Sequence, residues 1–559
     1  MKAAKILVDT LVDLGITDIA GIIGSSIDDV IDALNDDRRI RYISVRHEQV
    51  AASMADGYAR VSGKPMACIA HAGPGACNLM LGVASAFRDS VPMLIITGNT
   101  GSSRLGRDAW HELDVLALFR PITKSTVQVS RPAEISQVLR SSFATALDGR
   151  PGPVHIDIPQ DMIAADLPSE KLTSGADAGT IWPSTRVISD GVVAAIRQRL
   201  FAAKRPVILA GGGVASARAA FELKAVAEAF SMPVVTTETA RGLVPEDHPL
   251  CLGIVGLYGN PGSNRALREA DVILGVGCRF SEQATLGWKL IDPSTSIIQV
   301  NIDERELGKQ FPIDVGVSTD ARSFLAALLN AAPLPMASPI SHASRIAWAK
   351  ELQEMRAVDQ REFFAKAVDA TPIKPQRVIQ EIINLAGRDS IFAVGQGNLT
   401  ASCIRAPIYA PGQFLQSVGL GAMGFAFPAA LGASLAAPAK TVFCLVGDGD
   451  FGMVMQDLDT AAREELKVII VVFNNGGYGV NRIGQLARKR EPYGVDFINP
   501  DFAELAKMYG LPGFRIERSE QLRLALEVAL NSQRTVLLDV MIDAFERVGS
   551  NPKAVGLYT

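Results

Sequence analysis

Two short polar motifs follow apolar runs in the last third of the chain. The run at residues 441–446 breaks into Gly-Asp-Gly at 447–449, and the run at 468–473 ends in Asn-Asn-Gly-Gly at 474–477. Apolar runs of this length, bounded by glycine and separated by a helical pattern, predict two parallel strands with a crossover helix. Because parallel sheets bind ligands at the carboxyl ends of their strands, both motifs should face one site.

The side chains of Asp448 and Asn475 suit a magnesium ion at that edge of the sheet. Mg²⁺ is a hard cation that takes oxygen ligands and completes its shell with waters and substrate phosphates. Neighbouring glycines let the backbone approach those phosphates closely. Either motif alone is an ordinary strand-to-helix turn. The two together, with 24 residues between Gly449 and Asn474, indicate a site for a metal ion and a diphosphate.

This pair of motifs resembles the diphosphate-binding motif of thiamine diphosphate (ThDP) enzymes. From about residue 3 to about residue 548, the chain is similar to the acetolactate synthase and 2-oxo acid decarboxylase branch of that family. The resemblance implies ThDP and Mg²⁺ as cofactors, with Asp448, Asn475 and the backbone oxygen of Gly477 as metal ligands. It implies further cofactor contacts at Gln396, Gly397, Asn398, Gly421, Met423, Gly447, Gly449, Asp450 and Tyr478.

Two residues would act on the reactive part of the cofactor. Glu48 stands where a strand-like run enters a helical segment, a position that also suits a solvated helix start. The resemblance implies that Glu48 binds the aminopyrimidine ring and so activates the thiazolium carbon. It implies that Met423, rather than filling a core, is the bulky apolar residue that bends the cofactor. ThDP in such enzymes lies between two subunits, so we expect a homodimer or homotetramer.

The residues expected at the substrate are less uniform. A Ser at position 25 and a His at position 71 resemble the pair found in benzoylformate decarboxylases, and we expect them to lie together and handle protons. The segment around Trp110 resembles the acetolactate synthase stretch near the reacting centre, but His111 replaces a glutamine there. The tryptophan that selects the second oxo acid in biosynthetic acetolactate synthases is missing near Gly484, which should widen the pocket.

These features predict an enzyme that acts on 2-oxo acids. The first interpretation is acetolactate synthase-like decarboxylation with carboligation of the enamine to a carbonyl acceptor. The alternative is a non-oxidative decarboxylase, resembling benzoylformate decarboxylase, or another ThDP-dependent C–C lyase. A catalytically silent homologue is a third class, against which the intact Glu48, Asp448, Asn475 and Met423 argue. In the central region, glycines at 211–213 and Arg279 leave FAD, ADP or no nucleotide as open alternatives.

Strand-like and helical segments alternate along the whole chain and place these residues. The pattern predicts an α/β protein with three doubly wound parallel-sheet domains. We expect a pyrimidine-binding domain at 1–170, a central Rossmann-like domain at 186–335 and a diphosphate-binding domain at 368–548. The polar segment 167–184 and the proline-rich segment 332–339 read as linkers.

Length, charge and cysteine content limit the partners and the cellular location that we expect for the protein. A chain of 559 residues is too long for one core, and its net charge of −4 comes without a basic face, so nucleic acid is not an expected partner. No apolar run approaches the roughly 18 residues that a membrane span needs. The six cysteines show no metal-like or paired spacing, which fits reduced thiols. The sequence therefore predicts a cytoplasmic protein without a membrane segment.

Overall fold

The computed structural model describes residues 1–168, 188–331 and 339–546. The two predicted linkers lie largely outside the described residues, and so do the predicted domain limits at 170, 186, 335 and 548, which stay predictions. The described parts contain three six-stranded sheets in which every pairing between strands is parallel. Helices lie between most of the successive strands, so the α/β class and the three parallel-sheet units are confirmed.

The first sheet has the strand order β2-β1-β3-β4-β6-β5. Its strands are β1 (Asp18–Gly21), β2 (Arg41–Ser44), β3 (Ala67–Ala70), β4 (Met93–Asn99), β5 (Thr126–Gln128) and β6 (Pro153–Pro159). Its helices are α1 (Ala3–Asp13), α2 (Asp28–Asp36), α3 (Glu48–Ser62), α4 (Pro74–Asp89), α5 (Val115–Phe119), α6 (Ile135–Leu147) and α7 (Gln160–Ala164).

The central sheet has the order β12-β11-β10-β7-β8-β9, which is the doubly wound order of Rossmann folds. Its strands are β7 (Pro206–Ala210), β8 (Val234–Thr236), β9 (Cys251–Ile254), β10 (Val272–Val276), β11 (Ser296–Asn301) and β12 (Val315–Ser318). Its helices are α8 (Asp190–Ala202), α9 (Gly212–Ser216), α10 (Ala220–Phe230), α11 (Pro261–Glu269) and α12 (Ala321–Asn330), and the long α13 (Pro339–Phe364) leads to the third sheet.

The third sheet has the order β14-β13-β15-β16-β18-β17, which repeats the order of the first sheet strand for strand. Its strands are β13 (Ile391–Val394), β14 (Phe414–Leu415), β15 (Val442–Gly447), β16 (Ile469–Asn474), β17 (Gly513–Ile516) and β18 (Val536–Met541). Its helices are α14 (Pro375–Leu385), α15 (Thr400–Cys403), α16 (Ala426–Ala436), α17 (Asp448–Phe451), α18 (Leu458–Arg463), α19 (Gly479–Ala487), α20 (Phe502–Met508) and α21 (Ser519–Asn531).

Burial explains why the inner strands read as continuous apolar runs. Every residue of β3, β4 and β16 is buried, as expected when helices cover both faces of a parallel sheet. By contrast, β2 and β12 lie at sheet edges and are only partly buried. None of the helices in the described residues is long and apolar enough to cross a membrane.

Helices α3 and α16 join the first and third units along one packed face. The two helices occupy equivalent places in sheets of the same order, since each connects the edge strand to the third strand in sequence. A Cβ atom at Gly57 would lie 2.2 Å from the carbonyl oxygen of Ala429, and one at Gly432 would lie 2.0 Å from that of Met54. Only glycine permits this contact between the backbones, which continues a single apolar core across both units.

Candidate active site

The two loops that carry the predicted diphosphate contacts leave neighbouring strands where the strand order reverses. The loop 395–398 follows β13, residues 447–450 form the end of β15 and the start of α17, and the two strands pair in the sheet. Doubly wound sheets bind ligands at this reversal point. The carboxylate of Asp450 joins the loops, because it accepts hydrogen bonds from the backbone N–H of Gln396 at 2.8 Å and from that of Gly424. Burial raises the pKa of Asp450 to about 6.

Asp448 begins helix α17 and is buried at the end of β15. Its Oδ2 accepts a 3.1 Å hydrogen bond from the backbone N–H of Gly477 and a 2.7 Å bond from the side-chain amide of Asn499. Burial raises the pKa of Asp448 above its usual value, and the bonds from Asn499 and from backbone N–H groups oppose that shift. The two predicted motifs are therefore in direct contact.

The loop after β16 is held by a buried arginine that the sequence did not point to. The guanidinium of Arg482, on α19, donates to the carbonyl oxygens of Asn475 at 3.2 Å and Gly476 at 3.0 Å, and forms an ion pair with Asp496. Asn474 faces the sheet instead, where its amide donates 2.9 Å to Asp539 and its oxygen accepts from Asn499. Arg482 thus fixes the backbone of the predicted metal-binding loop.

The residues at this edge fit a magnesium ion. The side-chain oxygen of Asn475 is buried and has no hydrogen-bond partner within the described residues, which leaves it available as a ligand. Asp448 adds a carboxylate on the paired strand. No cluster of three or more His, Cys, Asp or Glu residues that could hold a metal ion occurs in the described parts. A set of oxygen donors is what Mg²⁺ prefers.

The space beside Gly449 is bounded by two aromatic rings. A Cβ atom at Gly449 would lie 2.8 Å from Tyr478 and 3.1 Å from Phe497, and these two rings meet edge to face with centroids 5.1 Å apart. A side chain at position 449 would therefore displace this aromatic pair. Tyr478 keeps about a third of its surface exposed, at 36%.

The other predicted cofactor contacts lie on loops of the third unit. Gln396 donates from its side chain to the carbonyl of Ser417 at 2.8 Å, and Asn398 donates to that of Glu546 at 2.9 Å. Met423 is half-buried, and its carbonyl oxygen accepts a 3.4 Å bond from Gln49 of the first unit. Gly397 and Gly421 lie on these same loops and have positive φ, and Gly447 is the last residue of β15. The cofactor roles of these residues stay predictions.

Glu48 is the first residue of α3 and is buried. Its Oε2 accepts a 2.9 Å hydrogen bond from the side-chain amide of Asn78 on α4, in the same unit. The contacts of Glu48 thus lie in the first unit and those of Asp448 in the third. An exposed helix start, the plainer interpretation of Glu48, is wrong because its carboxylate is enclosed.

The loops that follow β1 and β3 carry the predicted substrate residues Ser25 and His71. Since β1 and β3 pair where the strand order of the first sheet reverses, these loops occupy the place equivalent to the diphosphate loops of the third sheet. His71 is bonded by Ser26, whose Oγ lies 2.8 Å from its Nδ1. His71 contacts Ser26 and not Ser25: Ser25 is exposed, and its carbonyl oxygen accepts from Gln160. The proton-handling role of Ser25 stays a prediction. Burial lowers the pKa of His71, and the neighbouring His111 lowers it further.

His71 and His111 are in direct contact. Nε2 of His71 lies 2.9 Å from Nδ1 of His111, and the two rings meet edge to face. Trp110 packs against His111 with centroids 5.0 Å apart, while 80% of its own surface is exposed. The structure therefore brings together two of the predicted substrate residues, and adds Ser26, which only the turn geometry could reveal.

The glycine-rich turn of the central unit is explained by contacts within the protein. Cβ atoms at Gly211 and Gly213 would lie 2.3 and 2.7 Å from the backbone of Gly277, and the backbone N–H of Gly213 donates 3.0 Å to the carbonyl of Gly277. Burial lowers the pKa of Arg279. These contacts explain the glycines without a nucleotide. FAD, ADP or no nucleotide in the central unit stay the predicted alternatives.

Three family models match separate parts of the chain. They are described as "Thiamine pyrophosphate enzyme, N-terminal TPP binding domain" over residues 1–118, "central domain" over 193–328 and "C-terminal TPP binding domain" over 393–540. Each match falls on one of the three sheets. Glu48 and Asp448 lie within the two TPP-binding matches.

Full-length relatives agree with these matches. The chain is 36% identical to the "Probable acetolactate synthase large subunit" of Methanocaldococcus jannaschii, over 99% of this chain and 94% of the relative. It is 33% identical to the "Acetolactate synthase isozyme 3 large subunit" of Escherichia coli, over 98% and 96%. It is 36% identical to the "Acetolactate synthase large subunit" of Corynebacterium glutamicum, over 97% and 87%. The chain therefore belongs to the thiamine pyrophosphate enzyme family, as an acetolactate synthase-like, ThDP-dependent enzyme.

Proposed function

We propose that the protein decarboxylates a 2-oxo acid and joins the remaining fragment to a carbonyl acceptor, with ThDP and Mg²⁺ as its cofactors. The proposal rests on the side-chain oxygen atoms that lie at the carboxyl ends of β15 and β16. The buried carboxylate of Asp448 and the unpartnered buried oxygen of Asn475 lie at paired strands within the match to the C-terminal TPP-binding domain. A buried amide oxygen without a partner is costly unless a ligand satisfies it.

The residues would divide the work between holding and orienting. Asp448, Asn475 and the backbone oxygen of Gly477 would hold Mg²⁺, which would supply positive charge for the diphosphate. When bound, ThDP supplies the electron sink for cleavage of the bond to the carboxylate carbon. Glu48 would hydrogen-bond the aminopyrimidine ring and fix its proton distribution, for which its enclosed position at the start of α3 is suited. Met423 would support the bend of the cofactor.

Assembly into a homodimer or homotetramer is part of the proposal. The contacts of Glu48 and of Asp448 lie in different units of the chain, and large apolar side chains near the predicted site are exposed. These include Trp110 at 80%, Tyr493 at 87% and Ile498 at 100% exposure. A second copy that covered them would complete the cofactor site. Sedimentation velocity should therefore give a mass of twice or four times 59.5 kDa, and a purely monomeric active enzyme would contradict this part.

The first experiment is product analysis with ThDP, Mg²⁺ and a panel of 2-oxo acids that includes pyruvate and benzoylformate. Acetolactate, or another joined product, from such an acid is the expected result. Free aldehyde with release of CO₂ would replace the carboligase by the alternative, a non-oxidative decarboxylase. The absence of CO₂ from the whole panel, in protein that binds ThDP, would contradict both and favour a lyase with another donor or a silent homologue.

A further inference from the structure

A continuous hydrogen-bond chain runs from a buried serine to the half-exposed His111. The backbone N–H of Ala72 donates 3.0 Å to Oγ of Ser26. Oγ of Ser26 lies 2.8 Å from Nδ1 of His71, and the backbone N–H of Ser26 lies 3.3 Å from the same nitrogen. Nε2 of His71 then lies 2.9 Å from Nδ1 of His111.

The protons in this chain have one consistent arrangement. A backbone N–H can only donate, so the bond from Ser26 N–H requires Nδ1 of His71 to be an acceptor. The hydroxyl of Ser26 already accepts from Ala72, and its own hydrogen is free to donate to the same Nδ1. A neutral imidazole carries one proton. The proton of His71 therefore sits on Nε2.

The arrangement continues to the second ring. With its proton on Nε2, His71 donates to Nδ1 of His111, so that nitrogen must be an acceptor too. A neutral His111 then carries its proton on Nε2. Within the described residues this Nε2 has no hydrogen-bond partner, and the ring lies beside the exposed Trp110. The hydrogen-bond chain therefore ends at the Nε2–H group of His111, which is open to a ligand.

We infer that Ser26 is a positioning residue that locks the tautomers of His71 and His111, so that Nε2–H of His111 donates a hydrogen bond to a carbonyl or carboxylate oxygen of the substrate. The substrate part of this inference rests on the proposed function; the tautomers do not. It differs from the expectation that His71 itself carries protons, because both of its nitrogens are already occupied by protein partners.

Burial and the contacts around His71 favour the neutral form of this ring. His71 faces His111, Asp28 and Glu48; burial and His111 lower its pKa, whereas the two carboxylates act in the opposite direction. Protonation at Nδ1 would also place a hydrogen against the donor of Ser26. A neutral donor binds an oxygen without transferring a proton, so the pair orients substrate rather than acting as a general acid.

The tautomers of His71 and His111 can be determined by a measurement that does not depend on enzyme activity. Solid-state NMR of sedimented protein with ¹³C,¹⁵N-labelled histidine separates the two neutral forms of each ring, and the loss of one set of signals in each single-histidine variant assigns them among six histidines. We expect both His71 and His111 as the Nε2–H form, and a mixed population for His71 in Ser26→Ala. An Nδ1–H form of His71 in the native protein would overturn the inference.

The role of His111 is tested by two substitutions at that position. Glutamine can accept at its oxygen and donate at its nitrogen, as a neutral imidazole does, whereas leucine can do neither. We expect His111→Gln to keep kcat/KM for the oxo acid within about threefold of the native value, and His111→Leu to lower it by about tenfold or more, the factor of a lost hydrogen bond. Equal loss in both variants would overturn the donor role.

The role of Ser26 is tested against an exposed serine of the same unit. Loss of the Ser26 hydroxyl removes a donor that favours neutral His71, so Ser26→Ala should move the acid limb of the kcat/KM profile to higher pH by about half a unit or more. Ser141→Ala, which removes a hydroxyl from an exposed position of α6, should leave the profile unchanged. Coincident profiles for the native enzyme and Ser26→Ala would overturn the positioning role. If the native enzyme converts no 2-oxo acid, the proposed function fails while the NMR result still decides the tautomers.

Discussion

The carboxylate of Asp450 accepts a 2.8 Å hydrogen bond from the backbone N–H of Gln396, and its other oxygen accepts from Gly424. One buried side chain therefore joins three loops that converge on the predicted diphosphate site. Burial raises the pKa of Asp450 to about 6, so this carboxylate takes up a proton at a higher pH than an exposed aspartate does. The first prediction follows from this junction.

Asp450→Ala should weaken ThDP binding and lower the melting temperature. The substitution leaves two backbone N–H groups without acceptors, at about 1–3 kcal/mol each. Thermal melts and ThDP titrations by protein fluorescence measure the two effects. Asp389→Ala, at an exposed position of the same unit, is the matched control and should change neither. Native-like ThDP affinity in Asp450→Ala would show that the junction does not shape the site.

Glu48→Gln should keep ThDP bound and lose most turnover. The amide still accepts a hydrogen bond from Asn78 but cannot hold the aminopyrimidine ring as an acid does, and loss of such a group costs on the order of a hundredfold or more in kcat. Steady-state kinetics and ThDP titration separate the two effects. Glu134→Gln, in a surface pair with Arg131, serves as control. Unchanged turnover in Glu48→Gln would contradict the proposed activation step.

Asn475→Ala should raise the Mg²⁺ concentration needed for half-maximal ThDP binding by at least about tenfold. It removes the buried oxygen that has no protein partner, whereas Asp448→Asn also removes charge and should have the larger effect. Titration with Mg²⁺ in the presence of ThDP measures both. Asn531→Ala, at the exposed end of α21, should behave as the native protein. Equal Mg²⁺ dependence in all three variants would exclude this metal site.

Acid should destabilise the first unit through His155. This buried histidine lies 2.9 Å from Oγ1 of Thr97 and 2.6 Å from that of Thr126, and burial lowers its pKa to about 3. Because the unfolded chain binds the proton near pH 6.5, this contribution to stability is complete above that pH and is lost as the pH falls toward 3. The free energy of unfolding, measured between about pH 4 and 7.5 where histidine titrates, should change less steeply with pH in His155→Gln than in the native protein. His248→Gln, at a partly exposed ion pair, should keep the native slope.

Gly57→Ala should destabilise the contact between the first and third units by about 1–3 kcal/mol. Its Cβ would lie 2.2 Å from the carbonyl oxygen of Ala429, so the backbones of α3 and α16 would have to separate. Chemical denaturation measures the loss. Gly191→Ala, at a helical position with no atom within 4 Å, should change stability by less than about 1 kcal/mol and in the favourable direction. A neutral Gly57→Ala would show that the helices adjust freely.

The amino-acid sequence determined the class, the central Rossmann-like unit and the ends of the inner strands. The apolar runs that ended at Asp448, Asn475 and His71 lie on β15, β16 and β3, since strands buried on both faces need uninterrupted apolar residues. Short or edge strands such as β5, β14 and β17 escaped the sequence pattern, because their residues are only partly buried or too few.

Only the tertiary structure decided which side chains meet. Ser26 rather than Ser25 reaches His71, because the direction of each side chain depends on the backbone angles of the turn and not on the residue type. Arg482 and Asn499 hold the predicted metal-binding loop through contacts between segments that the local sequence pattern does not encode. The identical strand order of the first and third sheets, and the meeting of Gly57 with Ala429, likewise depend on pairings between residues far apart in the chain.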